Sequence, residues 1–183
     1  SVEVKIDDPD EEGIGELMAK GNSIMLGYYE NEEATKSALE PDGWFHTGDL
    51  ARIDKDGFIY IAGRKKSVIV LNNGKNVFPE EIETLLNKVE GIKETFVYEK
   101  KEDDGDVKVC VEIVYDKEMI KDLYHIEDEE KIKEFLWEKV KEVNKLMPKY
   151  KYVREMIATE EPLIKTTTLK IKRHEELKKV LGK

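Results

Sequence analysis

The chain has one cysteine, Cys110, in 183 residues, so an internal disulfide cannot form and a thiolate metal cluster cannot assemble. Cys110 lies in the apolar run V-K-V-C-V-E-I-V and reads as a buried structural thiol. No apolar run approaches the roughly 18–20 residues that a membrane-spanning helix needs. The first residues, S-V-E-V-K-I-D-D, lack the basic start and apolar middle of a secretory signal peptide. Positive charge is in deficit: the formal net charge is −10, which argues against a basic face for nucleic acid. With three histidines and one cysteine, no His/Cys metal site is expected. These absences point to the cytoplasm, with peripheral membrane association as the alternative. Apolar and charged residues are equal in share, 39% each, enough for a core under a heavily charged exterior. The length suits one domain or two small ones. The chain begins in mid-strand without Met, which reads as a fragment of a longer protein.

Val2, Val4 and Ile6 alternate with polar residues and predict a strand, as does Gly15 to Ala19. Asn31 can cap a short helix with Glu32 and Glu33 in its first turn. Leu50 to Ile53 and Phe58 to Ala62 predict a hairpin around the turn D-K-D-G. The pattern changes near Arg64. Val68 to Leu71 predicts a strand and N-N-G a turn. Pro79 then begins a helix where its missing N–H costs nothing, with Ile82, Leu85, Leu86 and Val89 on one buried stripe. Thr95 to Tyr98 and Val107 to Tyr115 predict strands joined by a charged tip. Asp128 opens the longest helix, with Ile132, Phe135, Leu136, Val140 and Val143 inward and Pro148 after its end. Val153 to Ala158 predicts a last strand and His174 to Leu181 a last helix. The fold class is α+β: a small domain with a mixed or antiparallel sheet and about three helices at 65–183, preceded by a β-rich piece at 1–64.

Three strings carry the chemistry. In W-F-H-T-G-D-L, Asp49 offers a carboxylate that can accept two hydrogen bonds, and Gly48 lets a ligand approach the backbone. By itself such a string is equally a turn in which Asp49 caps local N–H groups. His46, three residues before Asp49, reads as a packing or hydrogen-bonding residue. G-R-K-K at 63–66 is a basic step between apolar strands, by itself a solvated turn. N-G-K-N-V-F-P-E-E-I-E at 73–83 is a turn feeding a helix, with Glu83 on a solvated face. Near the C-terminus, P-L-I-K-T-T-T-L-K-I-K-R at 162–173 is a basic loop ahead of a helix.

In this order, these strings resemble the C-terminal part of adenylate-forming enzymes: acyl-CoA synthetases, peptide-synthetase adenylation domains and luciferases. The form G-K-N-V-x-P-E-E-I-E looks closest to bacterial long-chain fatty acid–CoA ligases. The resemblance implies that Asp49 binds the ribose of ATP and that Arg64 contacts the nucleotide. It implies that Lys66 is the hinge about which a C-terminal lid, 65–183, swings on the end of the N-terminal part, 1–64. It puts the Gly74 loop beside the pantetheine arm of CoA. The C-terminal string resembles the family's P-K-T-x-x-G-K-I-x-R, which makes Lys170 the lysine of the adenylation step. Two positions depart from that pattern: Ile164 replaces the proline and Leu169 the glycine.

The implied activity is ATP-dependent, AMP-forming activation of a fatty acid followed by thioester formation with CoA. Mg²⁺ would arrive with ATP, and no metal ligands are expected in this segment. No Gly/Ser/Thr-rich phosphate loop followed by lysine is present in the sequence, so the segment alone would be inactive and would need the N-terminal domain as its partner. Two alternatives stand beside this reading. One is another acid, such as an amino acid or an aryl acid; the other is a non-catalytic, lid-like interaction module.

Overall fold

Alternation of apolar and polar residues at the start of the chain gives β1 (Val2–Asp7), which pairs antiparallel with β2 (Gly15–Gly21) in a computed structural model that describes residues 1–182. Asn31 accepts a hydrogen bond from the Ala34 N–H and so caps α1 (Glu32–Ala38), which buries no residue. β3 (Phe45–Ile53) and β4 (Ile59–Arg64) complete a four-stranded antiparallel sheet in the order β1-β2-β3-β4. Both last strands extend further than the apolar pattern predicts, and β3 takes in the whole of F-H-T-G-D-L. The sheet has few residues inside. Met18 and Ala51 are its buried apolar side chains among the described residues, whereas Tyr29, Phe58 and Ile61 are exposed.

The chain divides into two compact units, Ser1–Val68 and Ile69–Lys183, of which Lys183 lies outside the described residues. A single turn of 3₁₀ helix, Lys65–Ser67, closes the first unit.

The second unit opens with a two-stranded ribbon, β5 (Ile69–Val70) and β6 (Asn76–Val77), around the N-N-G turn. Pro79 starts α2 (Pro79–Leu86) at its first position, where no backbone donor is lost. The helix is shorter than its apolar stripe: Ile82 and Leu86 are fully buried, while Val89 packs beyond its end. β7 (Ile92–Lys101) and β8 (Val107–Tyr115) form a long antiparallel pair. An unanticipated helix, α3 (Lys117–Tyr124), follows, capped by Asp116 and closed by His125 in the left-handed region. Next comes α4 (Glu129–Asn144), capped by Asp128. β9 (Glu155–Thr159) joins β8 in parallel, so the sheet β7-β8-β9 is mixed. α5 (Arg173–Val180) is last.

Strand alternation sends side chains to both faces of this sheet, and both are covered. On one face Val97, Val109, Val111 and Ile113 pack with Ile82 and Leu86 of α2 and with Ile132, Leu136 and Val140 of α4. On the other, Phe96, Tyr98, Cys110 and Val114 pack with Leu163 and with Leu177 and Val180 of α5. Burial pushes the Cys110 thiol up to about 11, so it stays a protonated filler at neutral pH. The α+β class holds, with a mixed sheet sandwiched between helices. No helix among the described residues is long and apolar enough to cross a membrane.

Candidate functional site

The T-G-D string is an extrusion from the sheet. Glu16 lies opposite Leu50 and Met18 opposite His46, so β2 spends one residue, Leu17, where β3 spends three. Such a bulge leaves backbone groups without ladder partners. Three local devices satisfy them. The Thr47 hydroxyl donates to the Leu17 carbonyl at 2.7 Å, and the Asp49 N–H donates to the Thr47 hydroxyl at 3.1 Å. Gly48 takes φ of 72°, in the left-handed region, and its N–H donates to Glu16 Oε1 at 3.2 Å. The capping that Asp49 could have supplied is thus done by Thr47, which leaves the Asp49 carboxylate for other partners.

Asp49 faces Arg64 directly across the β3–β4 ladder. Arg64 Nη1 donates to Asp49 Oδ1 at 2.5 Å, and both side chains remain partly exposed. A side chain at position 48 would begin 3.9 Å from the Arg64 guanidinium, an ordinary contact, so it is the left-handed backbone and not crowding that calls for glycine here. Two of the expected nucleotide residues, fifteen positions apart in sequence, therefore meet on one exposed strand end. Beneath them Glu16 is almost fully buried. Its Oε2 accepts from Lys65 Nζ at 2.7 Å and pairs with His46 Nδ1 at 3.0 Å. The other His46 ring nitrogen faces Glu40 at 3.2 Å, so His46 is a hydrogen-bonded spacer between two carboxylates. Burial opposes ionisation of Glu16, but the hydrogen bonds from Lys65 and His46 outweigh it and hold its carboxyl below the ordinary value of 4.5. Lys66, the expected hinge, is exposed in the middle of the Lys65–Ser67 turn.

The second unit presents two loops. Gly74 sits in the turn between β5 and β6 at φ of 77°, with no atom within 4 Å of where a side chain would begin. It is there for its backbone conformation and leaves open space around it. Beside this turn lies a groove of about 580 Å³ whose walls include Asn72, Asn73, Tyr150, Tyr152 and Arg154.

The loop at 163–172 is a tight hairpin. The Thr166 N–H donates to the Lys170 carbonyl at 2.8 Å, the Lys172 N–H to the Ile164 carbonyl at 2.8 Å, and the Lys170 N–H to the Thr166 hydroxyl at 3.2 Å. Leu169 stands at φ of 60°, 77% exposed. It holds a conformation that glycine would hold freely, at a cost of roughly 1–2 kcal/mol for a residue with a Cβ. The hydrogen-bonded turn closes despite the leucine.

The three lysines of this hairpin differ sharply. Lys165 Nζ pairs with Glu94, which also accepts the Leu163 N–H at 3.2 Å. Lys172 Nζ pairs with Glu175 at 3.0 Å. The ammonium of Lys170 has no hydrogen bond or ion pair within its unit among the described residues, and the side chain is exposed. Glu176, fully buried, holds the hairpin from behind by accepting the Ile164 N–H at 2.5 Å.

Glu83 corrects an expectation. It is buried, not solvated: its Oε1 accepts the Val97 N–H at 2.8 Å and its Oε2 accepts from Arg173 Nη2 at 2.6 Å. Burial raises its pKa, and Arg173 only partly offsets this. The E-E-I-E and K-I-K-R strings are thereby bonded to each other through buried Glu83 and half-buried Arg173, a structural role. No spacing in the sequence marks Glu16 as buried or Glu94 as half-buried.

Comparison with known proteins bears on this geometry. A model of the AMP-binding enzyme C-terminal domain matches residues 66–180. A long-chain-fatty-acid–CoA ligase of Gallus gallus is 53% identical over 75 residues, which cover 41% of this chain and 10% of the relative. A 2-succinylbenzoate–CoA ligase of Listeria monocytogenes is 41% identical over 101 residues, 55% of this chain and 20% of the relative. The crystal structure of ATP-bound MatB from Rhodopseudomonas palustris superimposes with a TM-score of 0.75 at 27% identity, covering 100% of this chain and 35% of that one. The chain thus spans a minor part of the proteins it matches. It belongs to the AMP-binding enzyme C-terminal domain family.

Proposed function

We propose that this member of the family is the C-terminal portion of an ATP-dependent, AMP-forming ligase that joins a long-chain fatty acid to CoA. Residues 1–64 would be the end of the N-terminal part and 65–183 the lid. The reaction would run in two steps. A fatty acid carboxylate attacks the α-phosphate of ATP, giving acyl-AMP and pyrophosphate. The CoA thiol then attacks the acyl carbon and releases AMP.

The observation that carries this reading is the partition of the three hairpin lysines. Lys165 and Lys172 are neutralised by glutamates, while Lys170 presents an unpaired ammonium on a loop held rigidly from behind. A mobile cation of this kind can meet charge that grows on the α-phosphate and carboxylate oxygens in the adenylation transition state. Asp49 supplies a carboxylate for the two ribose hydroxyls, and Arg64 beside it supplies a guanidinium for phosphate oxygens. The pair holds the two groups at hydrogen-bond distance before a nucleotide arrives, which lowers the cost of ordering them. Lys66 in its exposed turn would absorb the backbone rotation of lid closure, and the open Gly74 turn would lie beside the pantetheine arm in the second step. Mg²⁺ would enter with the ATP phosphates. Among the described residues no group of three or more His, Cys, Asp or Glu could hold it. The proposed compartment is the cytoplasm.

The fatty acid assignment rests on the names of relatives such as the Gallus gallus ligase, and the Listeria relative favours an aryl acid as the second reading. The test is AMP release by the longer protein with ATP, CoA and a panel of acids. Long-chain fatty acids should give the highest kcat/KM. Preference for 2-succinylbenzoate or an amino acid would replace the substrate while leaving the chemistry, and no AMP release with any acid would favour the interaction-module reading.

A further inference from the structure

Asp49 and Arg64 lie on different strands, and the structure shows one buried group attached to both of their neighbours. Glu16 Oε1 accepts the N–H of Gly48, the residue before Asp49, and Glu16 Oε2 accepts from Lys65, the residue after Arg64. Its remaining partner, His46, is itself backed by Glu40. Glu16 has 6% of its surface exposed, and each of its donors is in place. A buried carboxylate costs stability unless its donors are in place, so it persists only where the geometry it enforces is retained.

We infer that Glu16 is a positioning residue that sets the spacing and orientation of the Asp49–Arg64 pair and tethers the start of the Lys65–Ser67 turn. The inference rests on the nucleotide role proposed above for that pair. Toward β2 the bulge at 47–49 has no ladder partners, so without Glu16 the Gly48 N–H loses its partner and the Asp49 side chain, although its backbone stays paired with Arg64 across β3–β4, loses the support that orients it. Through Lys65, the same carboxylate restrains the residue next to the proposed hinge. Rotation at Lys66 can proceed with the Lys65–Glu16 bond intact, so the tether fixes where the turning point lies while leaving the turn itself free.

The inference makes a different demand on each partner. In Glu16→Gln the negative charge that the Gly48 N–H, Lys65 and His46 all contact is gone, and the neutral amide oxygen left for Gly48 is a weaker acceptor. In Lys65→Met only the tether is gone. Hydrogen exchange on this 183-residue chain reads both effects without any catalysis. Glu16→Gln should speed exchange of the Gly48 amide and of the 65–67 amides, each by roughly 10-fold or more, the usual weight of a charge-assisted hydrogen bond. Lys65→Met should speed exchange at 65–67 and leave Gly48 as it is. In the longer protein, Glu16→Gln should weaken ATP·Mg²⁺ binding by roughly 10-fold, as seen in Kd and in KM for ATP with kcat less affected. A purely structural Glu16 would lower the melting temperature without moving nucleotide affinity. Unchanged Gly48 exchange in Glu16→Gln, or unchanged ATP affinity while Asp49→Asn weakens it, would overturn the inference. If Asp49→Asn also leaves ATP affinity unchanged, the nucleotide reading of the pair is what has failed, and Gly48 exchange alone decides the role of Glu16.

Discussion

The two units of this chain solve the problem of burial differently. In Ile69–Lys183 both faces of a mixed sheet are covered by helices, and a continuous cluster runs from Ile69 through Leu136 to Val153. In Ser1–Val68 the four-stranded sheet closes over Met18 and Ala51, and Phe58, Tyr60 and Ile61 stay exposed. Charged networks do in the first unit what packing does in the second: Glu16, His46, Lys65 and Glu40 bind β2, β3 and the closing turn together. The site residues follow the same division. Asp49 and Arg64, the proposed nucleotide residues, sit on the thin sheet beside the buried carboxylate of Glu16 and its partners Lys65 and His46. Lys170 sits on a hairpin braced against a packed core and needs only to be left unpaired. A unit with its own core can move as a body, and a hinge between such units needs only a few backbone angles.

The largest expected effect separates the two cores. Leu136→Ala removes a fully buried side chain from the packed cluster and should destabilise the second unit by about 3–4 kcal/mol, whereas Met18→Ala in the thin sheet should cost nearer 2 kcal/mol. Each unit holds one tryptophan, Trp44 and Trp137, so urea unfolding followed in single-tryptophan variants reads them separately. Equal losses would remove the contrast.

Leu169 offers a smaller effect. Leu169→Gly relieves a left-handed leucine but frees the unfolded chain, so the second unit should gain no more than about 1 kcal/mol. Leu169→Val, β-branched at a positive φ, should lose stability. A destabilised Leu169→Gly would mean that the exposed leucine makes a contact worth more than its strain.

The remaining effect is one of pH, and its sign differs between units. The Glu16 carboxyl is held below 4.5 in the folded chain, so its contribution is present above 4.5 and lost as pH falls through the lower folded value. Glu112 in β8 is the opposite case. Burial against Glu176 pushes it up to about 7, Lys179 only partly offsetting this, so the folded state favours the protonated acid and the second unit loses stability as pH rises from 4.5 to about 7. Melting followed at Trp137 should show that fall and Glu112→Gln should flatten it. The Trp44 transition should instead weaken only under acid, and a Glu112→Gln curve parallel to wild type would refute the assignment.

The parts of this picture that the sequence carried are those set by neighbours along the chain. Pro79, Ile82 and Leu86 mark α2, and Asp128 with Ile132 and Leu136 marks α4, because capping and periodicity are local. Helix α3 was hidden: it is short and charged, and Ile120 is its buried residue. The T-G-D string read as easily as a turn because a bulge is defined by the partner strand, here Leu17, thirty residues away. Glu83 looked solvated for the same reason, its neutralising partner Arg173 being ninety residues on. Burial of a charge is a tertiary fact that spacing cannot reveal. The resemblance of the strings supplied candidate roles for Asp49, Arg64, Lys66, Gly74 and Lys170. Glu16 lies in G-E-L-M-A-K-G-N-S-I-M-L-G-Y-Y, which also resembles the family but came with no role attached, and Glu94 lies outside the resembling strings.

The claim at the centre of this account is that the packed unit delivers one free lysine to the adenylation step. It is tested most directly by measuring the two half-reactions of the longer protein with Lys170→Ala. Pyrophosphate exchange should fall by about 10²- to 10³-fold, the usual weight of a lost charge-stabilising contact, while acyl-CoA formation from supplied acyl-AMP should stay near wild type, since an interaction made in one transition state affects that step alone. Lys165→Ala, which removes a lysine already paired with Glu94, should act on stability more than on either rate. Equal loss in both half-reactions, or no loss in pyrophosphate exchange, would contradict the claim.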